Sequence, residues 1–178
     1  MRPWLIVLGI QLYLFSRYAR LDAEFHYWLH GLAGAALGVG LLTAAALVRG
    51  RSPGGVWVAG LAGALYSATP DILFIALDRV HEYWMDAFAL HIGVHFVPAP
   101  LATAFALFAA ALCAWAAATL GHRRLGAALL ALTVGLASAA LLTRDPIPTT
   151  LDQLRAGSAD ALLCRLPERG VIRASLPV

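Results

Sequence analysis

Apolar residues in this chain gather into five long runs separated by short charged stretches, and no period-two alternation competes with them. An α-helix needs about 20 apolar residues to cross a hydrocarbon core of about 30 Å, so each run is weighed as a crossing helix. The runs cover 3–18, 25–48, 56–77, 88–120 and 125–143. The first is short and follows Arg2, but after Ser16 come Arg17, Tyr18 and Arg20 instead of a small-residue cleavage site. That order predicts an uncleaved signal-anchor helix. The fourth run, 33 residues, is too long for one straight crossing, since it would make a helix of about 50 Å. Pro98 and Pro100 divide it, which predicts a short interfacial helix over 84–97 and a crossing over 101–120.

Gly31, Gly34 and Gly38 in the second run and Gly60 and Gly63 in the third form small-residue surfaces, predicting two closely packed neighbours. After Thr143 the sequence Arg144-Asp145-Pro146-Ile147-Pro148 stops the last helix. The expected architecture is all-α: an integral membrane bundle of about five transmembrane helices with one Pro-broken interfacial helix over 1–145. Residues 146–178 form a polar C-terminal tail.

Composition sharpens this. With 61% apolar and 13% charged residues, a water-soluble globule is excluded. The net charge of +3 comes from arginines spread singly or in pairs, so nothing points to nucleic acid as a partner. Arg2, Arg49, Arg51, Arg123 and Arg124 fall on one side of the crossings, and Arg17, Arg20, Arg79 and Arg144 on the other. This bias predicts a cytoplasmic N-terminus. Cys113 and Cys164 have no disulfide or metal-ligand spacing.

Ionisable groups in or beside a crossing segment require a reason. His26 and His30 open the second run, His81 follows the third, and His91 and His95 begin the fourth, so all five share the non-cytoplasmic face. His122, beside Arg123 and Arg124, lies opposite and reads as an ordinary interfacial residue. His26/His30 and His91/His95 are each four apart, which on a helix places them on one face about 6 Å apart. Asp71 and Asp78 are seven apart, His81 and Glu82 continue their face, and Asp86 is close by.

Neutral imidazoles and carboxylates converging from three helices are ligand chemistry for Zn, Mn or Fe. An isolated Asp71 anion at that depth would cost several kcal/mol, which a divalent metal or a protonated histidine offsets. The candidate ligands are therefore His26, His30, Asp71, Asp78, His81, His91 and His95, with His30, Asp71, His91 and His95 deepest. Glu82 and Asp86 remain for general-base work. Plainer roles stand beside these: Asp71 capping a half-helix after Pro70, His26 and Asp78 as interfacial residues, and His91 and His95 hydrogen-bonding across helices. Tyr27, Trp28, Tyr83 and Trp84 read as a headgroup-level aromatic belt.

The segments His30-Gly31-Leu32-Ala33-Gly34 and Ser67-Ala68-Thr69-Pro70-Asp71-Ile72, followed by a histidine-containing stretch, resemble the bacterial membrane-bound metal-dependent hydrolases of the YdjM/YbcI type over about residues 26–95. The resemblance implies a bacterial inner-membrane hydrolase with His30, Asp71 and one or both of His91 and His95 as metal ligands. The chain departs from that pattern at Leu73, where the family has a second aspartate. His91-Ile92-Gly93-Val94-His95-Phe96 also replaces the family's His-Arg-Gly-x-Thr-His-Ser box, and its late His and Asp pair has no counterpart.

Three functions are thus weighed, the first ahead of the second. The first is a metal-dependent hydrolase acting on an amphiphilic, lipid-like ester at one membrane face. Next comes a di-iron lipid-modifying oxidoreductase, whose paired histidine boxes are absent here. Last is a non-enzymatic metal-binding, haem-binding or structural membrane protein.

Overall fold

The structure, a computed structural model, describes residues 3–20, 24–51, 54–77 and 83–147. Asp78, His81, Glu82 and the tail from residue 148 onward lie outside the described residues. The helices follow the apolar runs: α1 (Pro3–Ala19), α2 (Glu24–Arg49), α3 (Val56–Ser67), α4 (Thr69–Leu77), α5 (Pro100–Thr119) and α6 (Arg123–Leu142). No strand occurs among the described residues.

Among the described residues, three of the five expected crossings are single helices long and apolar enough to span a membrane: α2, α5 and α6. With 17 residues, α1 reaches only about 25 Å. The third run is divided into helices of 12 and 9 residues at Ala68. Pro70 explains the division, because its nitrogen has no hydrogen to donate and its ring clashes with the carbonyl four residues back. In the first turn of α4 that missing donor is harmless, and the Thr69 hydroxyl donates to the Leu65 carbonyl at 3.1 Å across the break.

The interfacial helix expected over 84–97 is instead two 3₁₀ turns, Tyr83–Ala87 and Gly93–Phe96. Between them Ala89 and Leu90 adopt left-handed φ values of 55° and 58°, a conformation that costs non-glycine residues about 1–2 kcal/mol each. Asp86 holds the turn in place. Its Oδ1 accepts the backbone N–H groups of Ile92 at 2.6 Å and Gly93 at 2.8 Å. At the far end of this segment the Phe96 carbonyl accepts the N–H of Asp145 at 2.8 Å, tying it to the chain beyond α6.

The centre of the bundle is α2, which packs against α3 on one flank and α5 on another, while α6 lies against α5. The α2–α3 crossing is backbone on backbone. A Cβ added at Gly34 would overlap the Gly63 carbonyl, one at Gly38 the Ala59 carbonyl, and one at Gly63 the Gly34 carbonyl. Gly31, placed on the same small-residue surface by the sequence, has open space around it. Alanine does similar work on α5, where Ala104, Ala111 and Ala114 are buried. Leu12, Phe105, Leu132 and Leu142 stand exposed on the outer surface, as suits a bundle surrounded by lipid.

Candidate metal centre

Two local features bring donors together at the end of the bundle where α2 and α5 begin. Helical spacing on α2 sets the His26 and His30 rings 4.4 Å apart, and both side chains are buried. The glycine crossing then draws α3 against α2, and the break at Ala68 places Asp71 in the first turn of α4, 1% exposed. His91 arrives from the turn before the second 3₁₀ element and is fully buried. Each of His26, His30, Asp71 and His91 offers one ligand atom, and these atoms all lie within 4.8 Å of one another.

The separations suit a shared ion. His26 Nε2 is 3.1 Å and His91 Nε2 3.2 Å from the same Asp71 Oδ1. Two ligands 2.0–2.1 Å from a tetrahedral metal stand about 3.3 Å apart. His91 gives the sharper observation. Its Nδ1 lies 2.9 Å from the Ser67 carbonyl oxygen, which can only accept, so Nδ1 carries the proton and donates it there. In a neutral ring Nε2 then presents a lone pair toward a carboxylate oxygen 3.2 Å away. That contact is repulsive unless His91 is protonated or a cation sits between the two. Metal-ligating histidines commonly donate their second N–H to a carbonyl in this way, which fixes tautomer and ring orientation.

Two further polar atoms are buried without a hydrogen-bond partner: Nδ1 of His30 and the hydroxyl of Ser67. Each such orphan costs about 1–3 kcal/mol, so a donor set completed by an ion fits this pocket of the fold. The set comprises three imidazoles and one carboxylate. This mixture suits Zn, Fe and other transition metals better than Mg or Ca, which prefer oxygen.

The structure differs from the sequence reading over which four side chains meet. His26 is inside the group and His95 at its edge. His95 Nε2 lies 3.1 Å from His30 Nε2, and its ring stacks on His26 with centroids 4.8 Å apart and 28° between planes. It is only half-buried. Asp86 is outside the group. Its carboxylate is engaged by two backbone N–H groups, which gives the expected general base a structural role. Asp78, His81 and Glu82 fall outside the described residues. His122 sits at the N-cap position of α6, at the opposite end, with no capping hydrogen bond from its side chain.

Sequence reasoning missed two participants. One is the carbonyl of Ser67, for which the nearby Pro70 was the available signal. The other is Tyr18, buried at the end of α1 with its ring 5.1 Å from His26. Its place on a Gln11–Leu14–Tyr18 stripe of buried positions follows helical spacing.

Asp86→Ala is expected to weaken metal binding by up to about 10-fold, the lower end of what a ligand's own outer partner contributes, because Asp86 holds only the backbone beside His91. The four cluster residues would be intact. A metal titration of the purified variant measures this. If Asp86 were the proton-transfer group instead, the variant would bind metal normally and lose only turnover.

No protein-family model matches this chain, and no curated protein or solved structure gave a match.

Proposed function

We propose that this chain is a membrane-embedded, metal-dependent hydrolase that cleaves an amphiphilic ester at one edge of the bilayer. The observation that supports the reading best is the Ser67–His91–Asp71 arrangement, in which an outer carbonyl orients the His91 ring so that its Nε2 stands 3.2 Å from a carboxylate oxygen, the spacing of two ligands on one ion. Bound there, a dication supplies Lewis acidity, polarising a carbonyl or phosphoryl oxygen and acidifying nearby water.

The chain's own residues do the rest. Asp71 is the one carboxylate of the group, so a dication keeps a net positive charge and its pull on an ester oxygen. Ser67 holds the His91 ring. His95, half-buried and 3.1 Å from His30, stands where a proton can be taken up or returned at the rim. The three helices long and apolar enough to cross a membrane support a lipid-like substrate.

The geometry favours this over the other expectations. The His30 and His91 rings stack at 3.8 Å and 14°, leaving no gap for a haem macrocycle between them. Among the described residues the group holds three imidazoles to one carboxylate, whereas helical-bundle di-iron sites are built mainly from carboxylates.

The test is turnover by detergent-purified protein of long-chain carboxylic and phosphoric esters. Activity should vanish with chelator and return with one of Zn, Mn or Fe. Stoichiometric metal without turnover of either ester class would leave a structural metal centre and overturn the hydrolase reading. Occupancy should fall as pH is lowered from neutral into the acid range, because protons compete for the ligand nitrogens, and recover as pH rises. Equilibrium dialysis across that range follows it.

A further inference from the structure

Beside the metal centre, α2, α5 and α6 enclose a groove of about 390 Å³, within the usual size of ligand sites. Its walls are apolar: Ala33, Leu37 and Leu41 from α2, Leu107 from α5, and Leu130 and Val134 from α6. The two hydroxyls at its edge are already engaged, Thr103 donating to the Pro98 carbonyl at 2.6 Å and Thr133 to the Leu129 carbonyl at 2.8 Å. Nothing in these walls asks for a polar occupant.

The groove is continuous with the site in two ways. On α2, residues 26, 30, 33, 37, 41 and 44 share one helical face. The stripe that carries His26 and His30 at one end is therefore the stripe that lines the groove further along. The groove also ends against the segment between the 3₁₀ turns and α5. Leu90 and Val94 line it there, and they are the immediate neighbours of His91 and His95. Leu90, with φ 58°, is one of the two consecutive left-handed residues, and such strain concentrates at functional sites.

Size decides what can lie in the groove. Between Ala33 and Ala44 it follows α2 for about 16 Å, so 390 Å³ corresponds to a mean cross-section of roughly 25 Å². A helix about 10 Å wide has a section of roughly 80 Å², so a groove this slender fits a single hydrocarbon chain better than a partner helix. We infer that the groove holds one unbranched acyl chain of the substrate, aligned so that its ester end reaches the His26–His30–Asp71–His91 centre. This rests on the hydrolase reading for its purpose, and on the groove alone for its binding.

Gly40 allows a direct test, because a Cβ there would meet only the Leu130 Cδ1 at 3.8 Å. Gly40 lines the groove, so a phenylalanine there would occupy part of it, starting from a Cβ that strikes no backbone. Full-length protein in detergent would be irradiated with a palmitate carrying a diazirine in its tail, and the labelled peptides mapped. Label is expected on 33–44, 103–107 and 130–141, falling at least fivefold in Gly40→Phe but not in Leu136→Phe, which changes an exposed outer position.

Metal content equal to wild type shows that Gly40→Phe has folded. In the same variant, KM for a decanoyl ester should rise at least tenfold while that for an acetyl ester stays unchanged. Label spread evenly over outer faces, or unaffected by Gly40→Phe, overturns the acyl site. Focused label in a protein that hydrolyses neither ester keeps the binding site and overturns the hydrolase reading. Metal-dependent turnover without focused label does the reverse.

Discussion

Asp71→Asn is expected to empty the metal centre of an otherwise folded protein. Asp71 is 1% exposed and is the one anion of the group, and its Oδ1 is approached by both His26 Nε2 and His91 Nε2. The amide has the same shape but no charge. It also turns either an N–H or a carbonyl toward two imidazole nitrogens that were arranged around a carboxylate. Affinity should fall at least about 100-fold, the upper end of what even outer partners contribute.

Stability should follow. A ligand present at 1,000 times its Kd stabilises the folded state by about 4 kcal/mol, so chelator should lower the Tm of wild type and leave Asp71→Asn unmoved. Elemental analysis and melting with and without chelator read both effects. Should wild type carry no metal and ignore chelator while Asp71→Asn still melts early, the cluster would be a buried ion pair between Asp71 and a protonated histidine. The catalytic proposal would then fall.

The second large effect is expected from Gly63→Leu or Gly34→Leu. Even the first carbon of the new side chain would occupy the space of a backbone carbonyl on the opposite helix. Backbone cannot turn aside as a side chain can, so α2 and α3 must separate. Overpacking of ordinary cores costs about 1–3 kcal/mol, and a clash with main chain belongs at or above the top of that range.

The crossing also sets the distance from His26 and His30 to Asp71, so metal should be lost together with stability. Gly31→Ala is the control. Its Cβ meets nothing within 4 Å, and alanine gains about 0.5–1 kcal/mol of helix preference over glycine. Thermal melts in detergent compare the three variants. Equal melting of Gly63→Leu and Gly31→Ala would show that the helices do not cross at backbone contact.

Legibility in the sequence followed how local each cause is. The boundaries of α2, α5 and α6 lie within a residue or two of the runs that predicted them, because hydrocarbon transfer energy adds up residue by residue along the chain. The pairing of His26 with His30 was equally legible, being a consequence of helical pitch. His91 and His95 have the same spacing and did not form a helical pair, since Asp86 draws the Ile92 and Gly93 N–H groups into a 3₁₀ turn. That competition between a carboxylate and a helix is settled by a contact six and seven residues away.

From its order of residues alone, then, this protein was bound to be an apolar helical bundle with His26, His30, His91 and His95 at one end and a proline able to break the third run. Those outcomes depend on transfer energies, ring constraints and pitch, all of which act within a few residues. The tertiary structure alone decided that His26 displaces His95 from the four-residue group, that the Ser67 carbonyl orients His91, and that a slender groove leads away from the site. These depend on how closely α2 and α3 approach and on where α6 lies against α5, distances set by packing between segments far apart in the chain.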